Sequence, residues 1–297
     1  MRYPWILFLS MFFHVQVWAQ VSERVNYKTV DGEELYFDYY PANTGNSQKS
    51  IVFVHGGGFS GGSPEGQAPF AEEMQKRGYS VFVISYRLYA KGHGFGCDFP
   101  TPEKLKAIRY AAEDAVSATR FIVEHAEDYG VDSEQIYLAG SSAGAEAILQ
   151  VLFNPFKSSM PEAFYIAEGF TFKGAMSFAG AVLDLRLVNR ENWIPLLLYH
   201  GSNDQLVPYE TAPHHFCPGT SPGYMMLFGS MSIYEKAKSL GLSVELHAYR
   251  DGGHEISNAM FRAFDVMDNF IKNTPAPESD EVWYYLHDRS DWDKLGK

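Results

Sequence analysis

The sequence is short of positive charge, with 24 Lys and Arg against 36 Asp and Glu and a formal net charge of −12 at pH 7. Nucleic acids and anionic membranes are held through Lys and Arg contacts to phosphate, so this acidity argues against both as partners. Cysteine is scarce too: only Cys97 and Cys217 are present. Two thiols do not make a disulfide-built miniature scaffold. A chain of 297 residues that is 46% apolar needs none, because it can bury one large core. Internal repeats and low-complexity tracts are also missing. The early apolar stretch from Trp5 to Phe13 falls short of the roughly 20 residues that span a bilayer.

That stretch has a different explanation. Arg2 precedes it, and Val17-Trp18-Ala19 places small residues around a cleavage point before Gln20. This is the layout of a secretory signal peptide over residues 1–19, which makes the mature protein secreted or periplasmic, with no membrane attachment after cleavage. In an oxidising compartment Cys97 and Cys217 could form a disulfide, although spacing alone leaves two free thiols equally open. His214-His215 beside Cys217 lacks a fourth ligand at metal-binding spacing, so an ordinary loop is expected there.

Residues 20–273 read as one domain. Val25–Val30 and Leu35–Tyr39 flank Asp31-Gly32, a hairpin turn signal. Short apolar runs follow at Ile51–Val54, Val81–Ser85, Ile136–Ala139, Ala175–Phe178, Leu196–Tyr199 and Val244–Tyr249. Helical periodicity lies between them: Pro102–Tyr129 with Thr101 as N-cap, Pro69–Lys76, Ala143–Leu152, Met231–Leu240 and Ile256–Ile271. Continuous apolar strands alternating with helices predict an α/β fold, a mostly parallel sheet covered on both faces with an antiparallel hairpin at one edge. Three long loops, Leu88–Thr101, Asn154–Lys173 and Pro208–Gly229, are candidates for function. Residues 274–297 form an acidic, aromatic tail that is expected to dock on the body, since so many aromatics seldom stay in solvent.

The chemistry gathers at strand ends. Gly140-Ser141-Ser142-Ala143-Gly144 is a G-x-S-x-G pattern between an expected strand and an expected helix. It presents Ser142 as a nucleophile on a sharp turn. His55-Gly56-Gly57-Gly58 ends an earlier strand. Backbone N–H groups of Gly57 and Gly58, with that of Ala143, are candidates for an oxyanion hole. No lysine follows in P-loop spacing and no G-x-G-x-x-G pattern occurs, which argues against nucleotide binding. Asp204 follows the Leu196–Tyr199 run and His254 the Val244–Tyr249 run, giving the chain order Ser, Asp, His. Asp184 and Asp251 are weaker candidates for the acid. His200 reads as a packed histidine and His55 as a brace for the glycine turn.

These motifs together resemble the α/β-hydrolase superfamily over roughly Val25 to Lys272. The resemblance is to its carboxylesterase-like members with a His-Gly-Gly-Gly motif, related to the hormone-sensitive-lipase and acetyl-xylan or feruloyl esterase groups. It implies a serine esterase using Ser142, Asp204 and His254, with Gly57, Gly58 and Ala143 around the oxyanion and no cofactor or metal. The expected substrates are small-molecule or glycan esters with short acyl groups. The chain departs from the pattern at Ser141, where many relatives carry an acid, at Ala145, where a second glycine is usual, and at Glu146. Two other functions fit the same scaffold: a serine peptidase of the prolyl-oligopeptidase type, which normally carries a large extra domain, and a binding protein, which tends to lose a triad member.

Overall fold

A computed structural model describes residues 23–43 and 48–295, and the signal peptide read over residues 1–19 lies outside them. The hairpin comes first, β1 (Glu23–Val30) and β2 (Glu33–Tyr40), turning on Asp31 and Gly32 with φ of 50° and 84°. Both central residues of such a two-residue turn need positive φ. Alternating elements follow: β3 (Ser50–Val54), α1 (Ala68–Lys76), β4 (Ser80–Ile84), α2 (Thr101–Glu124), α3 (Ala126–Tyr129), β5 (Ile136–Ser141) and α4 (Ala143–Leu152). Then come β6 (Gly174–Phe178), β7 (Ala181–Val182), β8 (Leu196–Gly201), β9 (Thr211–Pro213), β10 (Met226–Gly229) and α5 (Ser230–Ser239). The last elements are β11 (Val244–Arg250), α6 (Phe264–Lys272), β12 (Val282–Asp288) and α7 (Arg289–Trp292).

Nine strands form one sheet in the order β1-β2-β4-β3-β5-β6-β8-β11-β12. Only the β1–β2 and β2–β4 pairs are antiparallel. Every residue of β3, β4, β5, β6 and β8 is buried, as continuous apolar runs in a doubly covered sheet require. On β3, Val52 and Val54 join the core beneath α2 and α4, whereas Ile51 and Phe53 join the opposite core with Phe70, Met74 and Phe270. This is the α/β-hydrolase fold with its antiparallel hairpin at one edge.

Local expectations differ from the structure in three places. Thr101 does not cap α2 but is its first residue, after Pro100 at the N-cap. Its hydroxyl instead donates to Pro222 O and Tyr224 O at 3.1 and 2.7 Å, tying the helix to a distant loop. The helix also breaks at His125, where ψ turns to 24°, before α3. The helix read over Ile256–Ile271 is two pieces, a 3-10 segment His254–Phe261 and then α6. Its first half is pulled toward the sheet by a hydrogen bond from Ser141 Oγ to Ser257 O (2.8 Å).

The segment after residue 273 docks on the body as expected, and β12 within it is the ninth strand of the sheet. β12 pairs in parallel with β11 from Val244↔Val282 to Arg250↔Asp288. Trp292, only 5% exposed, meets Tyr249 edge-on at 5.6 Å and lies under the Arg262 guanidinium at 4.7 Å. Arg262 Nη1 also donates to Trp292 O at 3.0 Å. Trp292→Ala is therefore expected to cost about 3 kcal/mol of stability, the low end for truncating a buried tryptophan. A urea midpoint unchanged by the substitution would contradict this anchoring.

Candidate active site

β5 hands the chain to α4 through Ser142, whose φ of 53° and ψ of −122° lie where a residue with a side chain is strained. The turn is tight enough that a Cβ on Gly144 would sit 2.0 Å from Val54 O, and one on Gly140 would sit 2.5 Å from Gly144 O. The glycines of the motif thus let β3, β5 and α4 meet backbone to backbone. Ser142 N–H donates to Phe178 O (2.8 Å), fixing the turn to β6.

The Ser142 hydroxyl donates to His254 Nε2 at 2.7 Å. His254 Nδ1–H donates to Asp204 Oδ2, also at 2.7 Å. Asp204 is fully enclosed, and its second oxygen accepts from the N–H groups of Leu206 (2.8 Å) and Val207 (3.1 Å). Burial would push the Asp204 carboxyl up, but hydrogen bonds and charge from His200 and His254 outweigh it and hold it well below the usual range. It stays an acceptor throughout the neutral range. The loops carrying Asp204 and His254 are stitched together: Asn203 N–H donates to Gly252 O (2.8 Å), and Ser202 N–H to Tyr249 O (2.9 Å).

The weaker acid candidates point elsewhere. Asp184 is engaged by its neighbour Arg186, with contacts of 2.9 and 2.7 Å. Asp251 is an exposed turn residue with φ of 58°, and its N–H donates to Ser202 Oγ. His200 is packed within the core, with Nδ1 2.8 Å from Ser230 Oγ. Its Nε2 lies 3.0 Å from Val207 O and 3.5 Å from Asp204 Oδ2, so it also braces the acid, a contact that its sequence position did not reveal.

The glycine turn shares a cleft with Ser142. Gly57 (φ of 121°) and Gly58 (φ of 60°) both need positive φ. Gly57 O accepts from Ser60 and Gly61 N–H at 3.2 and 3.0 Å. In a trans peptide the Gly58 N–H then points the opposite way. Ala143 opens α4, so its N–H has no acceptor within the helix. His55 Nδ1 donates to Gly56 O (2.7 Å), and the ring stacks on Tyr86 at 4.5 Å. Burial lowers its pKa to about 4, keeping it neutral.

The cleft has a volume of about 420 Å³, and its lining includes Gly57, Gly58, Ser142, Ala143 and His254. That lies within the ~300–1,000 Å³ range of small-molecule sites. One wall comes from the two long loops, Leu88–Thr101 and Pro208–Gly229. A Cys97–Cys217 disulfide, Gly223 N–H to Cys97 O (2.8 Å) and Thr101 N–H to Pro222 O (2.9 Å) join them. β7, β9 and β10 form a small antiparallel sheet within this region. Phe95, Glu146, Leu206, His214, His215 and Phe261 line the same cleft. The sequence did not mark Phe95, Leu206 or Phe261 as cleft residues, since wall-forming side chains carry no local signature.

Comparison with known proteins agrees with this architecture. Residues 38–180 match the BD-FAE family. The Escherichia coli K12 protein YfhR is 25% identical over 219 residues, covering 69% of this chain and 71% of its own. The juvenile hormone esterase of Tribolium castaneum is 28% identical over 160 residues, which is 52% of this chain but only 24% of that enzyme. Among solved structures, a butyrate-bound esterase from Thermogutta terrifontis superposes with a TM-score of 0.63 at 22% identity, covering 85% of this chain and 94% of that one. The chain shares the α/β-hydrolase fold with that esterase, and its residues 38–180 are similar to the BD-FAE family.

Two properties of this protein can be tested at the site's periphery. His55 has an ordinary pKa of 6.5 when unfolded and about 4 when folded. Between those values the unfolded chain binds more protons, so the stability His55 contributes is complete above pH 6.5 and lost as the pH falls toward 4. Urea unfolding at pH 7 and pH 4.5 should therefore show a smaller acid loss for His55→Gln than for wild type. An equal loss would remove His55 as the source. Reducing the disulfide, which spans a sequence separation of 120, should cost up to about 5 kcal/mol on the loop-entropy account. An unfolding midpoint unchanged by dithiothreitol would show that the crosslink adds no stability.

Proposed function

We propose that this hydrolase is a secreted serine esterase that cleaves small or carbohydrate-linked esters of short acyl groups through a Ser142–His254–Asp204 triad. The observation that carries the proposal is the unbroken hydrogen-bond chain from Asp204 to His254 to Ser142, opening on a cleft that the glycine turn also lines. His254 Nε2 takes the hydroxyl proton as Ser142 Oγ attacks the ester carbonyl carbon. Asp204 holds the Nδ1–H tautomer and stabilises the imidazolium that results. The N–H groups of Gly57, Gly58 and Ala143 receive the charge developing on the carbonyl oxygen. As the tetrahedral intermediate collapses, His254 returns the proton to the departing alcohol and Ser142 keeps the acyl group. Water, activated by the same imidazole, then releases the acid.

Short acyl groups are supported by the size of the cleft and by the butyrate bound in the Thermogutta esterase of the same fold. Secretion is supported by the N-terminal sequence pattern and by a disulfide, which persists in oxidising compartments.

The test is hydrolysis of p-nitrophenyl esters from acetyl to decanoyl. Turnover is expected to be fastest for the short acyl chains and abolished in Ser142→Ala. Asp204→Asn should lower kcat by about 10⁴-fold with the fold intact, because the imidazole loses its required tautomer. Wild-type rates no higher than those of Ser142→Ala would overturn the proposal.

A further inference from the structure

The cleft wall holds two buried polar groups that ester hydrolysis as such does not use. Glu146 lies four residues beyond Ser142, and its N–H donates to Ser142 O at 2.9 Å. Helical side chains lean toward the N-terminus, so its carboxylate lies over the turn that carries the nucleophile. It is 2% exposed, lines the cleft, and its Oε1 accepts no hydrogen bond. His214 faces it from the loop wall, 1% exposed, with Nε2 3.3 Å from Glu146 Oε1. His214 Nδ1 has no hydrogen-bond partner either. Lys104 is buried nearby, but its ammonium donates to Gly223 O at 2.9 Å.

Burying a carboxylate oxygen and a ring nitrogen without hydrogen bonds costs free energy, and native proteins keep few such groups. Two residues that touch through Oε1 and Nε2 on the wall of a substrate cleft, each with an atom that makes no hydrogen bond, point to a partner that arrives with the substrate. The pair offers an oxygen that accepts and a ring nitrogen able to donate or accept. A hydroxyl suits either group, since it can donate to the carboxylate and can donate to or accept from the imidazole. An alkyl chain leaves both groups unsatisfied, and an anionic substituent meets the carboxylate's charge. Phe95, edge-on to His214 at 5.3 Å, supplies apolar surface beside the pair.

We infer that Glu146 and His214 form a polar subsite that recognises a hydroxyl on the substrate, so that hydroxylated esters, not plain alkyl esters, are the preferred class. The inference rests on the ester-hydrolase proposal above. It accounts for two sequence features left without a role: the acid where Glu146 departs from the family pattern, and the histidine pair next to Cys217.

The hydroxyl can belong to the acyl group or to the alcohol, and two matched pairs of esters separate these sources. The first compares p-nitrophenyl 3-hydroxybutyrate with p-nitrophenyl butyrate. The second compares glycerol monobutyrate with propyl butyrate, followed by acid release. The readout is the kcat/KM ratio within each pair, which cancels differences in the amount of active protein. Wild type should favour the hydroxylated ester by about tenfold or more in at least one pair, since a site built around a hydroxyl discriminates strongly against its absence. Glu146→Leu should bring that ratio to about one or below. Glu146→Gln keeps the volume and serves if the leucine variant does not fold; it should lower the ratio at least about threefold. Wild-type ratios near one in both pairs, or a preference unchanged in the variants, would overturn the subsite while leaving the esterase standing. Turnover of all four esters no higher than with Ser142→Ala would remove the esterase proposal, and the subsite with it.

Discussion

The structure depends on one backbone event, the reversal at Ser142 between β5 and α4. Placing a non-glycine residue at φ 53° and ψ −122° costs on the order of 1–3 kcal/mol, and packing must hold it there. β5 provides that packing as a buried strand paired on both sides, with β3 and β6. Gly140 and Gly144 let the neighbouring backbones close to contact. From that strain follow the exposure of Oγ at the carboxyl edge of the sheet and the outward direction of the first N–H groups of α4. The glycine turn after β3 lies beside them because β3 and β5 are adjacent strands.

The other two partners arrive on the far side of the sheet, at the ends of β8 and β11. Their precision comes from polar closure of the loops. Asp204 has backbone N–H groups on one oxygen and His254 on the other, so the carboxylate is both oriented and kept charged. His200 presses on it from within β8. A buried carboxylate with fewer donors would gain a proton and could no longer hold the imidazole tautomer. The support around Asp204 is therefore part of what would let His254 act as the base of the proposed mechanism.

Most of this was legible in the sequence because each motif is local. A serine between glycines, a glycine run after a strand, and an acid and a histidine after two later strands carry their own geometry. Long-range information was not legible. Glu146 and His214 are ordinary residues until folding brings them to 3.3 Å, and the partner of Cys97 could not be deduced from spacing. β12 escaped notice because it is an edge strand: its sequence VWYYLHD has no clean alternation, and most of its residues stay exposed. The break between His254–Phe261 and α6 was hidden for another reason. Apolar periodicity continues across it, while the Ser141 to Ser257 bond that pulls the first half inward is tertiary.

On the proposed reading, catalysis and substrate recognition rest largely on different parts of the molecule, with Glu146 on α4 the point where they meet. The triad and the glycine turn hang from strands buried on both faces, whose register is fixed by continuous pairing. The wall opposite is loop. Phe95 stands two residues from Cys97 and His214 three from Cys217, so one crosslink holds both. His215 and Phe216, between them, take positive φ of 55° and 51°, conformations that persist only where the surroundings impose them. A loop can open locally while the sheet stays paired, whereas the strands must unfold with the core. Loosening the wall would therefore disturb the choice of ester before it disturbed the proton relay. On that reading, substrate range would change through loop residues and the crosslink while the strained serine and its partners stay fixed.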